Sequence, residues 1–131
     1  MHNSEIGYIG EQCVFAELAK LGWIIYQDLS GKGPYDCVIV KGNLKLTVQV
    51  KSCQSRTKYN TGWAVGVGSV RSNKTQSVIH KFDNTKQDIL AIYLNVIDKV
   101  IFFVSSDVNV GRMLAVTDEY IKSYLHPEML L

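Results

Sequence analysis

From Leu44 to Lys51 the chain alternates without a break. Leu44, Leu46, Val48 and Val50 are apolar, and Lys45, Thr47, Gln49 and Lys51 are polar. A period of two describes a strand with one face buried, and it leaves Gln49 and Lys51 pointing the same way. Just upstream, Gly42-Asn43 supplies a tight turn, and Tyr35 to Val40 forms the preceding arm. Together they read as a β-hairpin. It carries Asp36 at the start of its first arm and the triplet Gln49-Val50-Lys51 at the end of its second.

The flanking segments supply the rest of a fold. Asn3 or Ser4 can cap a helix that runs to about Leu21 and stops at Gly22. Its buried stripe is read as Gly7, Glu11, Val14, Leu18 and Leu21, with the carboxylate of Glu11 interrupting an apolar face. A buried charge without a partner is costly, so Glu11 is expected to meet a partner, a metal ion or a wet cleft. Trp23 to Tyr26 reads as a first strand, and Asp28 to Pro34 as a loop broken by glycine and proline.

Beyond the hairpin, Ser52 to Thr61 is polar and Trp63 to Val67 is a strand. Gly68 to Lys74 reads as a basic loop, and Thr75 to Asp83 as a short helix with Val78, Ile79 and Phe82 on one side. Asp88 to Leu94 and Val100 to Ser105 are so continuously apolar that both faces should be covered. Met113 to Val116 is a brief strand. Thr117 caps a last helix ending near Leu125, with Asp118 and Glu119 suited to its dipole. The order implies an α/β fold, a central mixed β-sheet flanked by helices. Its 131 residues are expected to form one domain.

No apolar run is long enough for a membrane span, and the first residues do not look like a signal peptide. Cys13, Cys37 and Cys53 are odd in number and lack CxxC spacing, which favours reduced thiols in a cytoplasm-like compartment. The net charge of +2 is unevenly spread: Lys51 to Lys86 holds seven basic residues and one acid. Such a region suits a polyanionic partner. His2, His80 and His126 are scattered and show no ligand spacing.

Glu11, Asp36, Gln49 and the carbonyl of Val50 are hard oxygen donors of the kind Mg²⁺ takes, with Mn²⁺ a ready substitute. A cation held there can polarise a phosphate and acidify water. Lys51 beside it can stabilise the charge that builds on phosphorus or orient the attacking water.

These residues resemble the motif of the PD-(D/E)XK nuclease superfamily, the restriction-endonuclease-like fold. In that pattern the motif acid opens the second core strand and the (D/E)xK triplet lies on the third. Pro34-Tyr35-Asp36 stands where the family often has Pro-Asp, and Gln49 takes the position of the second acid. Glu11 looks like the additional helix-borne acid of the Holliday-junction resolvase branch. Gly10-Glu11, Gly22-Trp23, Tyr35-Asp36 and Val48-Gln49-Val50-Lys51-Ser52 look closer still to the small endonucleases of bacterial group I introns.

The resemblance, over about residues 4 to 105, implies a metal-dependent, site-specific endonuclease acting on double-stranded DNA. The catalytic set would be Glu11, Asp36, Gln49 and Lys51, with Glu11, Asp36, Gln49 and Val50 around the metal. A Holliday-junction resolvase and an inactive DNA-binding module are the alternatives. Ser52, Gln54, Arg56, Lys58, Arg71, Asn73, Lys74 and Gln76 are the expected DNA contacts, to phosphates or base edges. Cutting both strands would need a homo-oligomer, dimer or tetramer. Tyr124, Leu125, Met129, Leu130 and Leu131 could supply its apolar contact. Gln49 brings no charge to a metal, which leaves only two ionised donors.

Overall fold

The structure is a computed structural model that describes residues 3–72, 77–123 and 126–130. Helix α1 (Asn3–Lys20) leads into strands β1 (Ile24–Gln27), β2 (Cys37–Lys41) and β3 (Leu44–Cys53). Strands β4 (Gly62–Gly66), β5 (Ser69–Ser72), β6 (Ser77–His80), β7 (Ile89–Leu94), β8 (Lys99–Val104) and β9 (Met113–Thr117) follow, then α2 (Asp118–Lys122). Five strands form the central sheet in the order β1-β2-β3-β7-β8. Its one parallel pair is β3 with β7 and its other pairs are antiparallel, so the sheet is mixed as expected.

Helix α1 ends where Gly22 takes a φ of +93°. The Trp23 N–H reaches back to Leu18 O at 3.0 Å and the Gly22 N–H to Ala19 O at 3.0 Å, which satisfies the last turn's carbonyls. The hairpin register pairs Lys41 with Leu44 across Gly42-Asn43. Gly42 adopts a φ of +60° at the first loop position, where a two-residue type II′ turn needs glycine.

Alternation sorts the core into two layers. Val14, Leu18, Ile39, Leu46, Val48, Val50, Ala91 and Phe102 pack between α1 and the sheet. Leu90, Ile92, Leu94 and Ile101 face the other way, against Trp63, Val65 and Val116 of the β4–β9 ribbon, with Tyr120 and Ile121 of α2 closing that side. All six residues of β7 are buried, because it is central and covered on both faces. Truncation to alanine would cost about 3–5 kcal/mol at Phe102 and about 2–5 kcal/mol at Ile39 through lost contact and cavity.

Two expectations are corrected. The segment read as a basic loop and short helix contains a hairpin instead, with β5 and β6 paired from Ser69–His80 to Ser72–Ser77. Phe82, placed on that helix, follows the hairpin and packs against the second core layer. The stripe of α1 holds at Val14 and Leu18 but is displaced by one residue in its first half: Ile6 and Gly10 are buried, whereas Gly7, Glu11 and Leu21 are half-buried at its margin. Glycine at position 10 lets the helix turn that face to the sheet.

Asn73, Lys74, Gln76, Tyr124, Leu125, Leu131 and His2 lie outside the described residues, and the side chain of Arg71 on β5 is likewise not described. Of the expected oligomer contacts, Leu130 packs on its own chain's core and Met129 is exposed. The three cysteines are free, Cys37 and Cys53 buried. Among the described residues no helix is long and apolar enough to cross a membrane.

Candidate active site

The site lies at the edge of β3 where β2 begins. The hairpin ladder runs as far as Cys37–Val48. One residue before β2, the Asp36 N–H donates to Val48 O at 2.9 Å. The next donor along that edge, the Val50 N–H, is taken by the Asp36 carboxylate, Oδ2, at 2.7 Å. In a strand the N–H and C=O of one residue point to the same edge. The Val50 carbonyl therefore faces the opening beside the Asp36 carboxylate.

Asp36 is held from behind by the preceding loop. The Asp28 N–H donates to Asp36 O at 3.1 Å. The Asp28 carboxylate gathers its own loop, accepting from Ser30 N–H at 3.0 Å, Ser30 Oγ at 2.7 Å and Gly33 N–H at 2.7 Å. Those bonds hold the Asp28 carboxyl below the usual carboxylate range.

Glu11 comes from the margin of α1 and meets Asp36. Burial raises the Glu11 carboxyl above its ordinary value, and the charge and hydrogen bonding of Asp36 raise it further. Burial also raises Asp36, against the Val50 N–H, the Lys51 ammonium and the Glu11 hydrogen bond, which pull the other way. The two carboxyls are thus coupled, and the charge of Asp36 favours the protonated form of Glu11. The same burial and the same two carboxylates push the neighbouring Cys37 thiol up to about 12, so it stays neutral.

Two clefts meet at Lys51. On the α1 side, a groove is lined by Gly7, Glu11, Lys51, Ser52 and Gln54. On the opposite side, a cleft of about 380 Å³ is lined by Pro34, Gln49, Lys51, His80, Lys81 and Lys86. Strand alternation explains this: Gln49 and Lys51 leave the sheet on the face away from α1, paired with Leu90 and Ile92 of the second core layer. Asp36, Val50, Gln49 and Lys51 thus lie along one strand end, and Glu11 approaches it from the α1 side.

The expected DNA contacts fare less evenly. Gln54 is exposed in the groove and Lys58 is exposed beside Tyr59. Ser52 alternates to the α1 side, where its hydroxyl is buried without a hydrogen-bond partner among the described residues. That position withdraws it from a phosphate outside. Arg56 is withdrawn too. Its guanidinium grips the Asp118 carboxylate at 2.8 and 2.9 Å, donates to Asn60 Oδ1 and Asn60 O at 2.7 Å each, and stacks over Trp63. This fork ties the polar segment after β3 to the start of α2. Conversely, His80, Lys81 and Lys86 line the cleft beside Lys51, although no local pattern singled them out. Only the basic character of the region pointed to them.

The donor set fits a hard cation. Two buried carboxyls, one raised further by the charge of the other, would be relieved by a divalent ion, and the Gln49 amide and Val50 carbonyl could add neutral oxygens. Among the described residues no three or more His, Cys, Asp or Glu side chains converge to hold a metal ion. Any ion here would complete its shell with those neutral oxygens and water.

Both the fold and the sequence have counterparts among known proteins. A solved structure of a bacterial homing endonuclease, I-Ssp6803I, superposes with a TM-score of 0.74 at 22% identity, covering 91% of this chain and 82% of the other. At that identity the likeness establishes the fold. No curated protein matches the sequence. The sequence pattern of the PD-(D/E)XK endonucleases matches residues 1–120, and the chain belongs to that family of nucleases.

Proposed function

We propose that the chain is a divalent-metal-dependent endonuclease that cuts double-stranded DNA at a specific site, a homing endonuclease acting as one domain over residues 1–131. The observation that carries this is the Asp36 carboxylate held by the Val50 N–H at 2.7 Å, with Glu11 beside it and Lys51 next along the strand. The homing character draws on the fold it has in common with the bacterial homing endonuclease.

Glu11, Asp36, Gln49 and the Val50 carbonyl would hold Mg²⁺ or Mn²⁺. The bound ion would supply charge neutralisation at the scissile phosphate and acidify the attacking water. Asp36 is fixed by the Val50 N–H, so its free oxygen is oriented before substrate arrives. Lys51 places its ammonium at the meeting of the two clefts, where it balances charge developing on phosphorus. Lys81, Lys86 and His80 extend positive potential along the second cleft and would bind flanking phosphates.

One such centre cuts one strand, so double-strand cleavage calls for at least two copies. The exposed Ile24 and Tyr26 on the edge strand β1 support self-association. A second reading, a DNA-binding module without cleavage, is favoured by one observation. Gln49 stands where a second acid of the motif would, and it leaves two ionised donors.

The test incubates the protein with supercoiled plasmid, linear duplex, four-way junction and a library of genomic fragments, in Mg²⁺ or EDTA. Lys51→Ala and Asp36→Asn are run beside it. Cleavage of a unique duplex site that needs Mg²⁺ and falls by about 10²–10³ in Lys51→Ala is expected. Junction cutting without sequence preference would favour a resolvase. Binding without cleavage in Mg²⁺ and Mn²⁺ would favour the inactive module, and unchanged cleavage in both variants would refute the site.

A further inference from the structure

We infer that Gly10 is a positioning residue: its missing side chain lets α1 dock closely enough on β3 and β7 for the next residue, Glu11, to reach Asp36. A Cβ built on Gly10 would overlap Ser52 Oγ and lie 3.2 Å from Ser52 Cβ and 3.4 Å from Tyr93 Cβ. The hydroxyl of Ser52 could swing aside, since it has no hydrogen bond to lose among the described residues. The Ser52 Cβ could not, and at 3.2 Å it is too close by a few tenths of an ångström, while the Tyr93 Cβ at 3.4 Å is at the limit of ordinary contact. They belong to the central strands β3 and β7, whose residues Ser52 and Tyr93 are direct partners across the parallel ladder. A Cβ at position 10 therefore presses on Ser52, and the few tenths of an ångström it needs are taken up by the helix rather than the sheet.

Nothing else in the chain accounts for this glycine. It sits inside an 18-residue helix, where glycine is disfavoured. Its φ is not among the positive values, so backbone strain does not require it. It lies midway along the buried line Ile6, Gly10, Val14, Leu18, one residue from the carboxylate that the helix delivers. Lifting the helix at that point withdraws Glu11 from Asp36 while leaving Val14 and Leu18 to hold the helix to the core.

The inference rests on the metal-site reading above, and the experiment separates the two. Binding of Mn²⁺ alone is measured by calorimetry, with a thermal melt of every variant, for wild type, Gly10→Ala, Gly10→Ala/Ser52→Ala and Gly10→Ala/Ser52→Gly. Gly10→Ala is expected to bind Mn²⁺ about tenfold or more weakly. Affinity should recover stepwise as Ser52 loses first its hydroxyl and then its Cβ. Recovery on removing a neighbour's atoms is a readout that a general loss of stability would not produce. If Gly10→Ala is unfolded at the assay temperature, the order of the two double variants carries the test. Wild-type affinity in Gly10→Ala, or a flat or reversed order in the double variants, overturns the inference alone. Absence of Mn²⁺ binding by folded wild type overturns the metal site and the inference with it.

Discussion

The Val50 N–H donates a 2.7 Å hydrogen bond to Asp36 Oδ2, so a side chain rather than a strand continues the ladder at the open end of the β2–β3 hairpin. One carboxylate oxygen is spent on the backbone, and the residue that donates presents its carbonyl to the same opening. The motif acid and the strand end are thereby one structural unit. That accounts for the position of Asp36 immediately before β2 rather than within it.

The Glu11–Asp36 pair makes a prediction about stability and pH. Both carboxyls have folded-state values raised above the ordinary range, Glu11 by burial first and Asp36 by burial. A raised folded value means that the folded chain binds the proton more tightly. The contribution to stability is then complete below the unfolded carboxylate range and is lost as pH rises through the raised values. At neutral pH without a cation the pair is a liability. Glu11→Gln, measured in EDTA, should therefore melt about 1–3 °C above wild type at pH 7, with the gap closing towards pH 4. In Mn²⁺ the order should reverse, because ligand binding then stabilises wild type more. A variant that melts at or below wild type at pH 7 in EDTA would show that the two carboxylates do not repel.

How far the site could be read in advance follows from the range of each signal. The hairpin announced itself through eight alternating residues and a Gly-Asn turn, and the fold class through the order of its segments. The β5–β6 hairpin did not, because strands of four residues are too short to establish a period. Val78, Ile79 and Phe82 happen to match helical spacing as well. Glu11 stands out as a charge in an apolar stripe, yet the spacing that fits Val14 and Leu18 does not separate Gly7 and Glu11 from the buried Ile6 and Gly10. A glycine carries no hydrophobic signal, and the burial of Gly10 depends on Ser52 and Tyr93, far away in sequence. Lys81, Lys86 and the withdrawal of Arg56 are likewise products of tertiary packing.

Arg56 and the cleft lysines should separate cleanly by experiment. Arg56 binds Asp118 and Asn60 and covers Trp63, so Arg56→Ala should lower the melting temperature. The slope of log affinity for duplex DNA against log salt should stay as in wild type. Lys81→Gln and Lys86→Gln should leave the melt alone and each reduce that slope by about one. Fluorescence anisotropy across a salt series measures it. A reduced slope in Arg56→Ala with unchanged slopes in the lysine variants would move the DNA to the other side of the ribbon.

The two glycines of α1 should respond with opposite sign. A Cβ on Gly7 meets nothing within 4 Å, in contrast to Gly10. Alanine there removes the backbone-entropy cost of glycine, about 0.5–1 kcal/mol, and should raise the melting temperature by about 2–4 °C. Gly7 also lines the groove beside Glu11 and Lys51. If substrate enters that groove, Gly7→Ala will raise KM while raising stability, a split visible in steady-state cleavage set beside a melt. A stabilised variant with unchanged KM would assign the groove to solvent.

Gln49 offers the most direct manipulation of the metal site. The register that pairs Cys37 with Val48 puts Gln49 across from Asp36, on the same face as Lys51. Glutamate there would restore a third carboxylate to a site that has two. Gln49→Glu should bind Mn²⁺ more tightly, by about tenfold for the added charge, with steeper proton release on binding. The same charge should lower the melting temperature in EDTA at pH 7, since a third anion joins a pair that already repels. Calorimetry in two buffers of different ionisation enthalpy reads affinity and proton release together. Unchanged affinity with unchanged stability would mean that the side chain at position 49 points away from the cation and serves only the cleft of Lys81 and Lys86. The metal would then rest on Glu11, Asp36 and the Val50 carbonyl alone.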